Sequence, residues 1–289
     1  MKFDLLQNAV NEIKTELEKA ISTATYNGNL YSNGQEAKEA LIRSQNLILK
    51  VHEVVKVSLL DEISKYRTDF TIFPPIGERS PEMAVFGLLK SKKQDVVVMF
   101  DDIPDNRSHI AEGPLSGSYD PVGHEKAEKS IVVGVRSQLS SVAKNFDTLM
   151  ERSFAETLNL RLRLPDLVMG DVYLIPVVEY DDALMKHNIV GWKRDVIAVD
   201  KFISTFLAIS NRSHLKSDPE IYKYERVALV IVDFRQNPPK IILSTGELKQ
   251  GGFISRDFSS KYESLSPINF ARDIFEIYRK RHAIVDKEN

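Results

Sequence analysis

The chain has 289 residues, 43% of them hydrophobic and 28% charged, and its formal net charge is -2. That length allows about two domains at roughly 150 residues each, or one elaborated α/β domain. Fourteen Phe and ten Tyr exclude a disordered or collagen-like chain. Cysteine is absent, which excludes disulfides, thiolate metal sites and a cysteine nucleophile.

No apolar run reaches the roughly 18 residues of a membrane helix, so no membrane partner is expected. The charged start, MKFDLLQNAVNEIK, has no apolar core and no small-residue cleavage site. With the missing cysteine it predicts a cytoplasmic protein. The charge balance gives no global basic field, yet a basic cleft on an acidic surface is compatible with nucleic acid.

Residues 2–22 carry Phe3, Leu6, Val10, Ile13, Leu17, Ala20 and Ile21 at helical spacing. Asn27-Gly28 and Asn33-Gly34 break the pattern, and a second helix is predicted over 35–64. Residues 1–72 thus read as a helical N-terminal region, a cap or a dimerisation bundle. Phe73-Pro74-Pro75-Ile76-Gly77 is a rigid turn. Ser80 as N-cap and Pro81 at the first helical position predict a helix through Leu89.

Lys90 to Gln94 reads as a polar turn, and Asp95 opens a strand over 96–100. Residues 101–130, rich in Gly, Pro and Asp, read as a long loop or a poorly ordered excursion. A buried strand over 131–135 ends in Arg136-Ser137-Gln138, and Ser140 or Ser141 caps a helix to about Leu162. Further strands are predicted over 172–178, 227–234 and 241–243, with helices over 201–210 and 267–279. The order implies an α/β fold, a mixed sheet flanked by helices. Residues 73–289 form its core with a C-terminal elaboration, integrated with the helical region into one domain.

GxGxxG, GxxxxGK[ST], HExxH and GxSxG are all missing, and the six His are scattered. The informative residues are acids beside apolar strands. A buried strand starts on a charge when that charge meets solvent, a partner or a metal. Asp95 is such a residue, and Glu82 lies near the start of the preceding predicted helix. Together they form a pair suited to Mg²⁺ at a sheet edge. Taken singly, Glu82 is also an ordinary first-turn carboxylate, and Asp95 an ordinary turn residue.

On the 140–162 helix, Val142, Phe146, Leu149, Met150 and Leu158 share a face, and Glu156 sits at its edge. Glu156 therefore needs a compensating cation, for which Arg152 stands four residues earlier. Lys144 and Glu151 share the outer face. Arg136, at the end of a buried strand, is suited to a phosphate or a guanine edge. Ser137, Gln138, Ser140 and Ser141 add neutral donors there, or serve as a capping region.

At these residues the wording resembles a type II restriction endonuclease of the PD-D/E-x-K superfamily. The segments are SPEMAVFGLLKSKKQDVVV and, after an insertion, IVVGVRSQLSSVAKNFDTLMERSFAETLNLRLRLP. The likeness covers about the middle half of the chain and extends to YLIPVVEYDD and YKYERVALVIVDF. It lies in local wording and element order. The segment is similar to the CCGG-recognising branch, in which an Arg-Ser-Asp tract reads bases and a helix Glu supplies a metal ligand.

The resemblance implies a restriction-endonuclease-like core and a Mg²⁺-dependent, sequence-specific endonuclease acting on double-stranded DNA as a homodimer. No small-molecule cofactor is implied. By residue, Asp95 is the strand aspartate, Glu156 the displaced metal ligand and Glu82 a further carboxylate. Arg136 and Ser137 face DNA, Gln138 stands where that branch has Asp, and Ser140, a neutral donor at the same strand end, joins the DNA-facing set. Two departures stand out. The helix Glu comes late after the Arg-Ser tract. The strand expected to carry E-x-K reads Ile-Val-Val-Gly-Val, with an aliphatic residue for the Lys. Gln138 or Lys144 is then the replacement, or the protein binds DNA without cutting it. A metabolic α/β enzyme is disfavoured by the absence of a phosphate-binding glycine loop.

Overall fold

The computed structural model describes residues 1–212 and 219–282; residues 283–289, the end of the expected core region, lie outside the described residues. Its centre is a six-stranded sheet. We number the strands β1 (Phe70–Phe73), β2 (Val96–Phe100), β3 (Ile131–Ser137), β4 (Val168–Pro176), β5 (Arg226–Asp233) and β6 (Lys240–Ile242). They lie side by side in chain order. β2 runs antiparallel to β1 and β3, β3 to β5 are parallel, and β6 is antiparallel to β5. The main helices are α1 (Phe3–Thr23), α2 (Gly34–Arg43), α3 (Asn46–Ile63), α4 (Phe146–Arg161), α5 (Val199–Ala208) and α6 (Phe270–Arg281). α4 joins β3 to β4 and α5 joins β4 to β5, the crossovers that parallel pairing requires.

Helices cover both faces of the sheet. Val96, Val98, Phe100, Val133, Val135 and Val172 face a core closed by α1, α3 and α6. Val97, Met99, Val132, Tyr173 and Ile175 face a second core closed by α4 and α5. All nine residues of β4 are buried, as expected of a strand covered on both faces. The N-terminal helices share the first core with the sheet. No helix among the described residues is long and apolar enough to cross a membrane.

Several sequence expectations change. The helix predicted over 35–64 is two helices, parted at Gln45, whose left-handed φ of 62° interrupts the helical ladder. The helix predicted from Ser80 to Leu89 is a hairpin, Ala84–Phe86 paired with Ser91–Lys93. A distant residue holds its loop. Asn159 of α4 accepts from the Leu89 and Lys90 amides and donates to the Lys90 carbonyl.

The excursion over 101–130 is anchored rather than loose. A short pairing joins Ser108–His109 to Tyr119–Asp120, and buried Asp120 binds Arg163. β3 extends through Ser137, and α4 starts at Phe146, beyond the expected caps Ser140 and Ser141.

Candidate active site

β2 and β3 run antiparallel, so the start of β2 lies beside the end of β3. Half-buried Asp95 sits there, its Oδ2 accepting the Val135 amide at 2.8 Å. An open cleft of about 530 Å³ spreads over this junction, bordered by Glu82, Lys92, Asp95, Arg136, Gln138 and Arg152. Glu82 and Asp95 thus share a cleft, although Glu82 precedes a strand of the hairpin and not a helix. His52 of α3 lies against the same junction, its Nε2 3.3 Å from the Val135 carbonyl.

Alternation along β3 puts Val132, Gly134 and Arg136 on the α4 face. Arg136 therefore turns inward. Its Nη1 donates to Ser153 Oγ at 3.0 Å and to Asp171 Oδ2 at 3.1 Å, and its Nη2 pairs with Glu156. Asp171 lies opposite Gly134 on β4 and is fully buried. A Cβ at position 134 would stand 2.8 Å from Asp171 Oδ1, so Gly134 leaves the room this carboxylate occupies.

Glu156 binds Lys92 of the hairpin as well as Arg136. The expected partner Arg152 is exposed and makes neither of these bridges. Glu156 borders a second cavity, of about 360 Å³, next to the cleft. Glu82, Asp95 and Glu156 are accordingly not gathered into one trio. Among the described residues no three acidic or histidine side chains are placed to hold a metal ion.

Of the neutral donors, Ser137 is half-buried on the cleft wall. Gln138 is internally engaged, donating to the Ser140 carbonyl and accepting from Tyr173 Oη at 3.5 Å. Ser140 borders another cavity with Lys38 and Arg43. Lys144 is exposed and borders none of these three cavities.

Sequence reasoning missed Lys92, taken as part of a turn, and Asp171. The signal for Asp171 was available: it is a charge inside the apolar run Val168-Met169-Gly170-Asp171-Val172, where a carboxylate needs a partner.

Burial pushes the Asp171 carboxyl up to about 7, against the pull of Arg136. Burial also works against the Arg136 charge. Asp171, Tyr224, Glu156 and Asp95 nonetheless hold its guanidinium protonated well above the usual range. Asp171 takes a proton near neutrality while Arg136 stays charged, because an arginine is the harder group to neutralise.

A raised carboxyl pKa means the folded state binds the extra proton between about pH 4 and 7, so stability falls as pH rises through that window. Relative to Asp171→Asn, the native protein should lose up to about 1.4 kcal/mol per pH unit there. Urea midpoints of both proteins at several pH values test this. A flat difference would mean that Asp171 is ionised throughout.

Comparison with protein-family models, with curated proteins and with solved structures returns no match to this chain.

Proposed function

We propose that the chain is a Mg²⁺-dependent endonuclease of restriction type that hydrolyses phosphodiester bonds of double-stranded DNA. The observation that carries this reading is Asp95. It is a carboxylate fixed by a backbone amide at the meeting of two antiparallel strands, in a cleft shared with Glu82, Lys92, Arg136 and Arg152. Such a cleft offers hard oxygens to a divalent cation and positive charge to a phosphate.

Asp95 and Glu82 would hold the ion. When bound, it supplies a more acidic water and charge stabilisation at the phosphate. Lys92 and Arg152 neutralise the phosphate. Arg136, bridged to Asp171 and Glu156, keeps that end of the cleft in register, and Ser137 offers a hydroxyl to the DNA. Homodimerisation fits the two-fold symmetry of palindromic sites. A DNA substrate agrees with the cytoplasmic location expected from the sequence.

One observation favours a second reading, a DNA-binding protein that keeps this arrangement without hydrolysis. Gly134 stands on the strand expected to carry an acid, and Arg136 already satisfies Glu156 and Asp171. Incubation of supercoiled plasmid with Mg²⁺, against EDTA, separates the two. Discrete fragments formed only with Mg²⁺ are expected. Retention of plasmid without cutting, in Mg²⁺ or Mn²⁺, would establish the second reading. Neither binding nor cutting would remove both.

A further inference from the structure

The cavity beside the cleft has a feature the hydrolytic reading does not use. Gln94 lies in its wall and is fully buried, and neither its Oε1 nor its Nε2 has a hydrogen-bond partner among the described residues. An orphaned buried amide is costly, and the cost is removed when a ligand or water completes it. Neither amide atom is open to solvent, so a ligand in this cavity meets the amide once the Gln94 side chain turns toward it.

The rest of the wall points to the chemistry of that ligand. Lys90, Lys92, Arg136 and Arg152 supply positive charge against the single carboxylate of Glu156, while Ala155 and Leu160 supply apolar surface. A side-chain amide presents a donor and an acceptor side by side, the pattern that pairs with the edge of adenine. Lysine and arginine side chains suit a phosphate.

Lys92, Arg136 and Arg152 also border the cleft, so one phosphate position serves both spaces. Lys92 is held in that shared wall by Glu156.

We propose that this cavity is a nucleotide subsite, in which Gln94 meets the edge of a base and Lys92 with Arg152 meets its phosphate. The proposal rests on the reading of the cleft as a DNA site only for the source of the nucleotide. Its chemistry is the same for a base unstacked from a strand in the cleft and for a free mononucleotide.

The test uses the full chain without divalent ions, with adenosine monophosphate and inorganic phosphate as calorimetric probes. Two labelled duplexes, one fully paired and one with a single unpaired adenine, are compared by anisotropy. Adenosine monophosphate is expected to bind at least tenfold more tightly than phosphate, and Gln94→Met to remove that advantage. Met keeps the length and apolar bulk of the side chain and drops the amide.

Ala155→Trp is the second variant. It fills the cavity from an exposed position on α4, leaves Gln94 in place and is expected to block the nucleotide equally. Preference for the unpaired duplex, lost in both variants, identifies DNA as the source. Binding of adenosine monophosphate without interest in either duplex supports the subsite with a free nucleotide. Equal affinities for adenosine monophosphate and phosphate, or a Gln94→Met protein that binds like the native one, overturn the proposal. Those results would leave plasmid cleavage, and the reading drawn from it, untouched.

Discussion

Asp95→Asn is expected to lower the rate of Mg²⁺-dependent plasmid cleavage roughly a thousandfold, since a metal-held transition state is worth several kcal/mol and each 1.36 kcal/mol is tenfold in rate. The amide keeps the shape of the carboxylate, and its oxygen can still accept the Val135 N–H that fixes the native side chain at 2.8 Å. What it loses is the charge that would hold the ion. Stability should therefore change by no more than about 1 kcal/mol, the net worth of one ordinary hydrogen bond.

Single-turnover cleavage rates and urea denaturation of the same preparation separate the two effects. A folded variant that cuts at the native rate would remove Asp95 from the chemistry, and the proposed function would lose its carrying observation. A variant that unfolds, with native activity per folded molecule, would assign Asp95 to the β2–β3 junction alone. Glu82→Gln, exposed and joined only through the shared cleft, should lose less activity.

The elements best read from the sequence are those whose signal is local and periodic. α1 differs by one residue at each end from the 2–22 reading, because its apolar positions recur at helical spacing over five turns. β2 was legible as a β-branched run. The hairpin over Ala84–Lys93 was not. What holds its loop is Asn159, some seventy residues away, and no local pattern encodes that contact.

The same error hid Lys92. In a turn its side chain has no assigned direction, whereas in a paired strand it reaches Glu156. Arg136 shows how one residue of strand length decides a role. With β3 ending at Val135, its guanidinium was free to point at DNA. With β3 running to Ser137, the period of two fixes it on the face of Gly134, toward Asp171. Asp95 and Glu82, read from the sequence as a carboxylate pair at a sheet edge, border one cleft, although the helix assigned to Glu82 does not exist.

The largest stability effect is expected at Glu225, which lies away from the cleft. Its side chain is fully buried, and three guanidiniums converge on it. Oε2 takes Arg161 and the Met169 amide, and Oε1 takes Arg281 at 2.7 Å and Arg212 at 3.3 Å. The side chains of all three arginines are buried. Their charges are otherwise met by backbone carbonyls, Ile221 and Lys223 for Arg161, Pro165 for Arg212, and Asp166 and Leu167 for Arg281.

Burial and mutual repulsion already tell on one member. Burial first, and then Arg212 and Arg281, pull Arg161 down to about 10 against the attraction of Glu225. Glu225→Gln keeps the shape and most of the acceptors but removes the charge that the three share. Stripping one partner from a buried ion cluster costs roughly 3–5 kcal/mol. Set against a total stability of about 5–15 kcal/mol, that leaves a marginal fold.

The cluster ties the end of α4 to the end of α6 and the start of β5, so the loss should appear as one cooperative shift in the urea midpoint. Arg161→Met in the Glu225→Gln background should recover part of it, because the double variant has one fewer uncompensated charge; a double-mutant cycle reads that coupling directly. A Glu225→Gln protein within about 1 kcal/mol of native would mean that the carbonyls alone carry the three charges, and that Glu225 holds chiefly the Met169 amide.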